Sequence, residues 1–312
     1  MVWPWLRSSI TCTRWSSDLA LLPPFFLDAV VALGVGDDPA QRMWIGTGFL
    51  YGALVKKGDP NNKSYYVFLV TNRHVLEGQP NIWIKFNPAS GSGSQDFQVS
   101  LRAKNGRSLW IGHPDDSVDL GAIFINAQFL RSQSMRFNYF RDDDHTFTLA
   151  QLGSEGVAEG DGVFVLGYPM GLVDPGRQVA ICRVGCIARI QDVISTGVGD
   201  FLIDAAVFPG NSGGPVILQP EALSVAGTKS VGKANLVGVV QNYLSYQDVA
   251  MSQQTGRARI IFDENSGFSS VIPVDRINEL MTASIKRLRG RVAQATWKAK
   301  KQKDVDPTTA SA

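Results

Sequence analysis

Pro209-Gly210-Asn211-Ser212-Gly213-Gly214-Pro215 decides how this 312-residue chain is read. It sits between two apolar stretches read as strands, Phe201 to Val207 and Pro215 to Leu218. Taken alone, it is a glycine-rich turn between strands. Its second reading is chemical. A serine that acts as a nucleophile must sit on a tight turn with its hydroxyl exposed and backbone N–H groups converging beside it. Glycines on either side allow that path, because a Cβ there would clash or block a substrate. In such a turn the N–H of the serine and that of the residue two before it stabilise a developing oxyanion. Those groups would belong to Ser212 and Gly210.

A nucleophilic serine needs a base, and the base needs an orienting acid. Thr71-Asn72-Arg73-His74-Val75-Leu76 follows the apolar run Tyr65 to Val70, so His74 stands at a strand end, a fixed position suited to proton transfer. A lone histidine there is more often structural. The other two histidines have weaker contexts: His113 precedes a proline in a turn, and His145 follows three aspartates and reads as solvated. Ser117-Val118-Asp119-Leu120-Gly121-Ala122-Ile123 puts Asp119 at the start of an apolar run, where a carboxylate becomes partly buried and can hold an imidazole. Asp115 and Asp116 fall in the preceding turn and read as solvent-facing.

Around these motifs the chain is a succession of short runs rich in Val, Ile, Phe and Tyr, punctuated by Gly, Asn, Asp and Pro. Asp59-Pro60-Asn61-Asn62 reads as a turn, and residues 131 to 145 as a linker between two strand sets. Only the final part has helical spacing, with Asp275 as N-cap and Ile277, Leu280, Met281, Ile285 and Leu288 on one face. Many short strands at this spacing predict barrels or sandwiches. The expected division is an extension over 1–27, a first half over 28–135 holding His74 and Asp119, a second half over 136–274 holding Ser212, and a terminal helix with a basic tail over 275–312.

Composition sets bounds. Apolar residues make up 44% and charged residues 19%, which supplies a substantial core and argues against extended disorder. The net charge of +2 says little about partners, but Lys286 to Lys303 contains eight basic residues and no acidic one. Such runs are usually solvated, so nucleic acid is not the expected partner. Cys12, Cys182 and Cys186 form no disulfide framework; residues four apart on a strand lie about 13 Å from each other, too far to bridge. No metal-ligand spacing is present, and the expectation is no cofactor and no metal. No apolar run reaches the 18 or so residues of a membrane span, and Leu19 to Leu27 is broken by Pro23-Pro24. Cytoplasmic residence is the resulting expectation.

The order His, Asp, Ser, with separations of 45 and 93 residues, is that of chymotrypsin rather than of subtilisin or the α/β-hydrolases. The chain resembles the trypsin-like serine peptidases and, among them, the HtrA (Deg) protease domains. Gly46-Thr47-Gly48-Phe49-Leu50, Val165-Leu166-Gly167-Tyr168-Pro169-Met170-Gly171-Leu172, Ile203-Asp204-Ala205-Ala206 and Gly267 to Val274 carry the likeness beyond the three site motifs. The resemblance covers residues 28 to 285. It implies an all-β fold of two six-stranded antiparallel Greek-key barrels with a C-terminal helix, and a serine endopeptidase acting on protein or peptide substrates. It further implies a His74, Asp119, Ser212 triad between the barrels. The specificity pocket would have Ala206 at its base and one wall running from Val239 and Val240 through Gln241 to Asn242, and an alanine base implies cleavage after small or medium apolar residues.

Two departures stand out. Too few residues follow the helix for the PDZ domain that HtrA proteins usually carry. Asn211 stands where digestive trypsins have the aspartate that pairs with a new N-terminus. The stretches Gln219 to Ala234 and Ser245 to Arg257 read as long loops. The competing reading is a latent module of the same fold that binds protein segments without cutting them.

Overall fold

The computed structural model describes residues 21–55, 63–221 and 231–305, with side chains described as far as Gly290. A short helix α1 (Pro24–Leu27) leads into β1 (Val30–Val35), β2 (Met43–Leu54) and β3 (Tyr65–Thr71). Helix α2 (Arg73–Leu76) is followed by β4 (Asn81–Pro88), β5 (Gln95–Ser100), β6 (Ile111–Gly112) and β7 (Gly121–Phe124). Then come α3 (Ala127–Ser132), β8 (Met135–Arg136), β9 (Phe140–Arg141) and α4 (Leu149–Glu155). The second strand set is β10 (Gly162–Gly167), β11 (Ile181–Arg189), β12 (Phe201–Asp204), β13 (Pro215–Leu218), β14 (Asn235–Met251) and β15 (Ala258–Pro273). Helix α5 (Gln191–Thr196) interrupts it, and α6 (Val274–Val305) ends it.

The second set closes into the expected six-stranded antiparallel barrel, in the order β10-β11-β12-β15-β14-β13. The first set is a curved sheet in the order β5-β4-β1-β2-β3-β7-β6, with β8 and β9 attached to β4 and β2. It is a half-barrel rather than a closed six-stranded one. The reason is local: β6 has only two residues, and between it and β5 the chain makes a single bridge, Arg102 to Ser108. The mainly β architecture with a terminal helix is the double-barrel fold anticipated from the sequence.

Helices are more numerous than the periodicity implied. The linker region forms the end of α3 and two short strands of the first sheet. Helix α4 has a capping box: Thr148 accepts from the Gln151 amide while the Gln151 side chain accepts from the Thr148 amide, with Gly156 left-handed at the C-cap. Asp275 is not an N-cap. It lies in the first turn of α6, and its carboxylate accepts from the Leu149 amide at 2.8 Å. His145 is not solvated but buried against Phe25 and Phe26, where burial and the Arg141 guanidinium hold its pKa below the usual histidine value. The Asp59 to Asn62 turn, Cys12 and most of the Gln219 to Ala234 stretch lie outside the described residues; Cys182 and Cys186 are free thiols. No helix among the described residues is long and apolar enough to cross a membrane.

One core cluster joins the two halves. It holds Phe49, Tyr51, Phe68 and Phe140 from the first sheet, Leu166, Tyr168, Ile217 and Val239 from the barrel, and Ile277, Leu280 and Met281 from α6. Each such side chain contributes roughly 1.5–3 kcal/mol on burial, so the halves are welded together and the cleft between them is held in one geometry. Tyr51 adds a polar tie, its hydroxyl donating to Asn278 Oδ1 at 2.8 Å.

Candidate active site

His74 lies in α2, the single helical turn that follows β3, and Asp119 lies immediately before β7, which pairs with β3. Strand pairing therefore sets the two side by side. The contact is fourfold. Asn72 Nδ2 and the Arg73 amide donate to the Asp119 carbonyl at 2.9 and 3.2 Å, and the His74 amide donates to Asp119 Oδ1 at 3.0 Å. His74 Nδ1 meets Asp119 Oδ2 at 2.6 Å. An ionised carboxylate only accepts, so in this contact Nδ1 is the donor and Nε2 is the ring nitrogen not engaged by Asp119. The imidazole is half exposed, while the Asp119 side chain is largely covered. Arg73 anchors the loop before Asp119 by donating to Asp116 Oδ1 at 2.6 Å and to the His113 carbonyl at 2.9 Å. Asp115 and Asp116 are exposed, as the sequence implied.

Ser212 is brought to this pair from the barrel by β2. The Thr47 amide donates to the Ser212 carbonyl at 3.0 Å, and Gly46 packs between Val75, the residue after His74, and that same carbonyl. Among the described residues no hydrogen bond joins Ser212 Oγ to the imidazole. Catalytic hydrogen bonds are often loose before a substrate is bound.

The turn that carries Ser212 is pinned peptide by peptide. Met170 N–H donates to the Pro209 carbonyl at 2.6 Å, Thr47 Oγ1 to the Gly210 carbonyl at 2.6 Å, and Gly214 N–H to the Asn211 carbonyl at 2.8 Å. A planar trans peptide points its N–H opposite its C=O, so these three bonds aim the N–H groups of Gly210, Asn211 and Ser212 in turn. The Asn211 amide is used internally, donating to the Phe208 carbonyl at 2.9 Å. Those of Gly210 and Ser212 have no backbone acceptor among the described residues. Two glycines make the path possible. Gly210 has φ +97° with its missing Cβ aimed at the Tyr168 carbonyl, and Gly213 has φ +82° with its missing Cβ aimed at Thr47 O and Thr71 Oγ1. Met170, which holds the Pro209 carbonyl, is itself left-handed at φ 55°, an uncommon conformation for a residue with a side chain.

Two of the residues expected at the specificity pocket turn their side chains into the core. Val239 and Val240 are fully buried, in the inter-half cluster and the barrel core respectively, so neither presents a side chain to a cleft. Successive side chains on a strand point to opposite faces, so the barrel interior takes Val240 and the packing between the halves takes Val239. Their contribution is backbone: Val240 accepts from Gly213 N–H at 3.0 Å and donates to the Gly214 carbonyl at 2.9 Å. Gln241 is half-buried and Ala206 exposed, and Arg183 lies over the Phe208 ring at 5.0 Å, beside the same turn.

Other residues of the site were not legible as such. Thr47, wholly buried, makes three of the bonds that hold the serine turn in place, through its amide, its hydroxyl, and the hydroxyl's acceptance of Tyr168 N–H at 3.0 Å. Its signal was the Gly46-Thr47-Gly48 motif, which carried a likeness but no role. Behind Asp119 lies a polar group in which Ser270 Oγ is 3.2 Å from Asp200 Oδ2 and 3.3 Å from Gln241 Oε1. Burial raises the Asp200 pKa, the Ser270 hydrogen bond and Arg276 oppose the rise, and the Asp119 charge adds to it. His113, read as a turn residue, is buried, and its Nε2 meets Glu279 of α6 at 3.1 Å.

Residues 46–223 match the family model of the trypsin-like peptidase domain. The Serine protease Do-like HtrA of Bacillus subtilis (strain 168) is 28% identical over 172 residues, which is 53% of this chain and 30% of that protein, so the chain spans less than a third of its length. Among solved structures, the MamO protease domain from Magnetospirillum magneticum (apo form) has a TM-score of 0.42 at 17% identity, covering 82% of this chain and 97% of that one. An inactive form of Rv3671c from M. tuberculosis H37Rv, a serine-to-alanine mutant, has a TM-score of 0.40 at 16% identity, covering 83% and 87%. The match to the family model extends over more than half of the chain and includes the segments that hold His74, Asp119 and Ser212, and the chain belongs to the trypsin-like peptidase domain family.

Proposed function

We propose that the chain is a serine endopeptidase with His74, Asp119 and Ser212 as its triad. His74 Nε2 takes the Ser212 hydroxyl proton as Oγ attacks the peptide carbonyl carbon. The negative charge that forms on the carbonyl oxygen is held by the Gly210 and Ser212 amides, worth about 2.7–4 kcal/mol for each donor. The imidazolium, stabilised by Asp119, returns the proton to the leaving amine as the C–N bond breaks. Water, deprotonated by His74, then attacks the acyl-enzyme, and Ser212 leaves with the returned proton. The single observation that carries this reading is the His74–Asp119 pair at 2.6 Å, together with a Ser212 turn whose Gly210 and Ser212 N–H groups have no backbone acceptor among the described residues. Cleavage after small or medium apolar residues, with Ala206 near the side chain of the cleaved residue, belongs to the same proposal.

The second reading, a latent module that binds protein segments, draws on the missing hydrogen bond between Ser212 Oγ and His74. A fluorophosphonate probe separates the two. The enzyme reading expects labelling of the wild type and none of Ser212→Ala; a wild type that stays unlabelled with and without candidate substrates supports the binding module. Proteome-wide cleavage-site profiling against Ser212→Ala then tests the apolar preference.

A further inference from the structure

The Ser245 to Arg257 stretch, expected as a loop, is instead the outer part of a long hairpin. β14 and β15 pair from Gly238–Pro273 at the barrel to Met251–Ala258 near the tip, with register shifts after Val240, Tyr243 and Ala250. Beyond Tyr243 the ribbon leaves the barrel and is exposed throughout. Its apolar side chains point to both faces. Tyr246, Ile260 and Phe262 share one face and Val249 and Ile261 the other, each between 41% and 58% exposed. A two-stranded ribbon is marginal alone in water, and exposed edges are normally blunted by lysine or proline. Here β12 covers the outer edge of β15 only from Phe268 to Val271. From Ala258 to Glu264, about 20 Å of strand, that edge has no partner strand, lysine or proline; beyond it the Ala205 to Val207 segment comes alongside, the Ala205 amide donating to the Gly267 carbonyl and Asn265 Nδ2 to the Val207 carbonyl.

We propose that this edge pairs with the same edge of a second copy of the chain, forming a four-stranded sheet about a two-fold axis. The sequence fits itself in one register. Side chains alternate with period two, so a two-fold axis normal to the sheet must pass through a residue for paired side chains to share a face. With the axis at Ile261, that residue faces the partner's Ile261, Ile260 faces the partner's Phe262, and Arg259 faces the partner's Asp263. By symmetry each unlike pair occurs twice. Neither Arg259 nor Asp263 has an ion-pair partner among the described residues, so the pairing supplies each with an opposite charge directly across the ladder. The length fits too. The partner's Ala258, where its β15 begins, comes opposite Glu264, the last residue before the Ala205 to Val207 segment lies along the edge. Joining the edges in this way hydrogen-bonds the free backbone groups of both strands. The proposal does not depend on catalysis.

The full chain carrying Ser212→Ala, which prevents self-cleavage, is examined by sedimentation equilibrium from about 1 to about 100 µM, because dimer populations follow concentration. A species of twice the 33.9 kDa chain mass is expected. Arg259→Glu or Asp263→Arg alone should raise the dimer dissociation constant at least about tenfold, and the two together should restore it to within about threefold. In a chain with Cys12, Cys182 and Cys186 changed to serine, Ile261→Cys should oxidise to a linked dimer, because directly opposed Cα atoms lie about 4.5–5.5 Å apart. Glu264→Cys should not. A chain that remains a monomer at the highest concentration overturns the proposal. So does a dimer that ignores the charge reversals and fails to link through position 261.

Discussion

Replacing Thr47 with valine keeps the shape of a wholly buried side chain and removes one hydroxyl. That hydroxyl donates to the Gly210 carbonyl at 2.6 Å and accepts from the Tyr168 amide at 3.0 Å. Valine leaves a buried acceptor and a buried donor each without its partner, at a cost of about 1–3 kcal/mol apiece. The Gly210–Asn211 peptide then keeps only the Asn211 N–H bond to the Phe208 carbonyl, and the spacing of the Gly210 and Ser212 N–H groups on either side of it is held less firmly. Complete loss of one oxyanion donor costs about 10²–10³ in kcat. A donor that is present but unheld should cost less, so kcat should fall about 10–100-fold. Ground-state substrate contacts are untouched, so KM should stay within about threefold. The assay is initial-rate kinetics on a fluorogenic peptide taken from a profiled cleavage site, at a temperature where thermal unfolding shows the variant fully folded. Thr47→Ser retains the hydroxyl and should recover most of the lost rate. A folded valine variant with wild-type kcat, or a serine variant as impaired as the valine one, refutes the assignment of Thr47 as a positioning residue.

Asp119→Asn preserves shape but offers His74 Nδ1 an uncharged partner, and should lower kcat by about 10⁴ with the fold intact by circular dichroism. Gly213→Ala sets a Cβ against Thr47 O and Thr71 Oγ1 at φ +82°, and should destabilise by more than about 3 kcal/mol in urea denaturation on the Ser212→Ala background. Asp200, whose folded pKa burial raises, favours the fold most when protonated, below its unfolded value of 3.8. That contribution is lost as pH climbs through the raised folded value. Asp200→Asn should therefore raise Tm at pH 7, with the gain vanishing in thermal scans near pH 3; an unchanged or lower Tm at pH 7 would contradict the burial argument.

The sequence by itself determined the local geometry of the site. Ser212 had to occupy a turn that only glycines at 210 and 213 permit, and His74 and Asp119 had to stand at strand ends, because the apolar runs beside them must be buried. Such restrictions act over a few residues and are written in those residues. Partners distant in sequence were decided by the tertiary structure alone. Thr47 is 163 residues from Gly210, and nothing local to either marks the bond between them. Val239 and Val240 were read as pocket wall, yet which face of a strand turns inward depends on the strands that pair with it. The open first half-barrel has the same origin, since β6 is too short to complete a ladder with β5. Leu236 to Val240 and Arg259 to Phe262 read as strands in the sequence, but Ser245 to Arg257 reads as a loop for the converse reason: with no core to face, that stretch shows no sustained alternation of apolar and polar residues, and its pairing with β15 makes most of it strand.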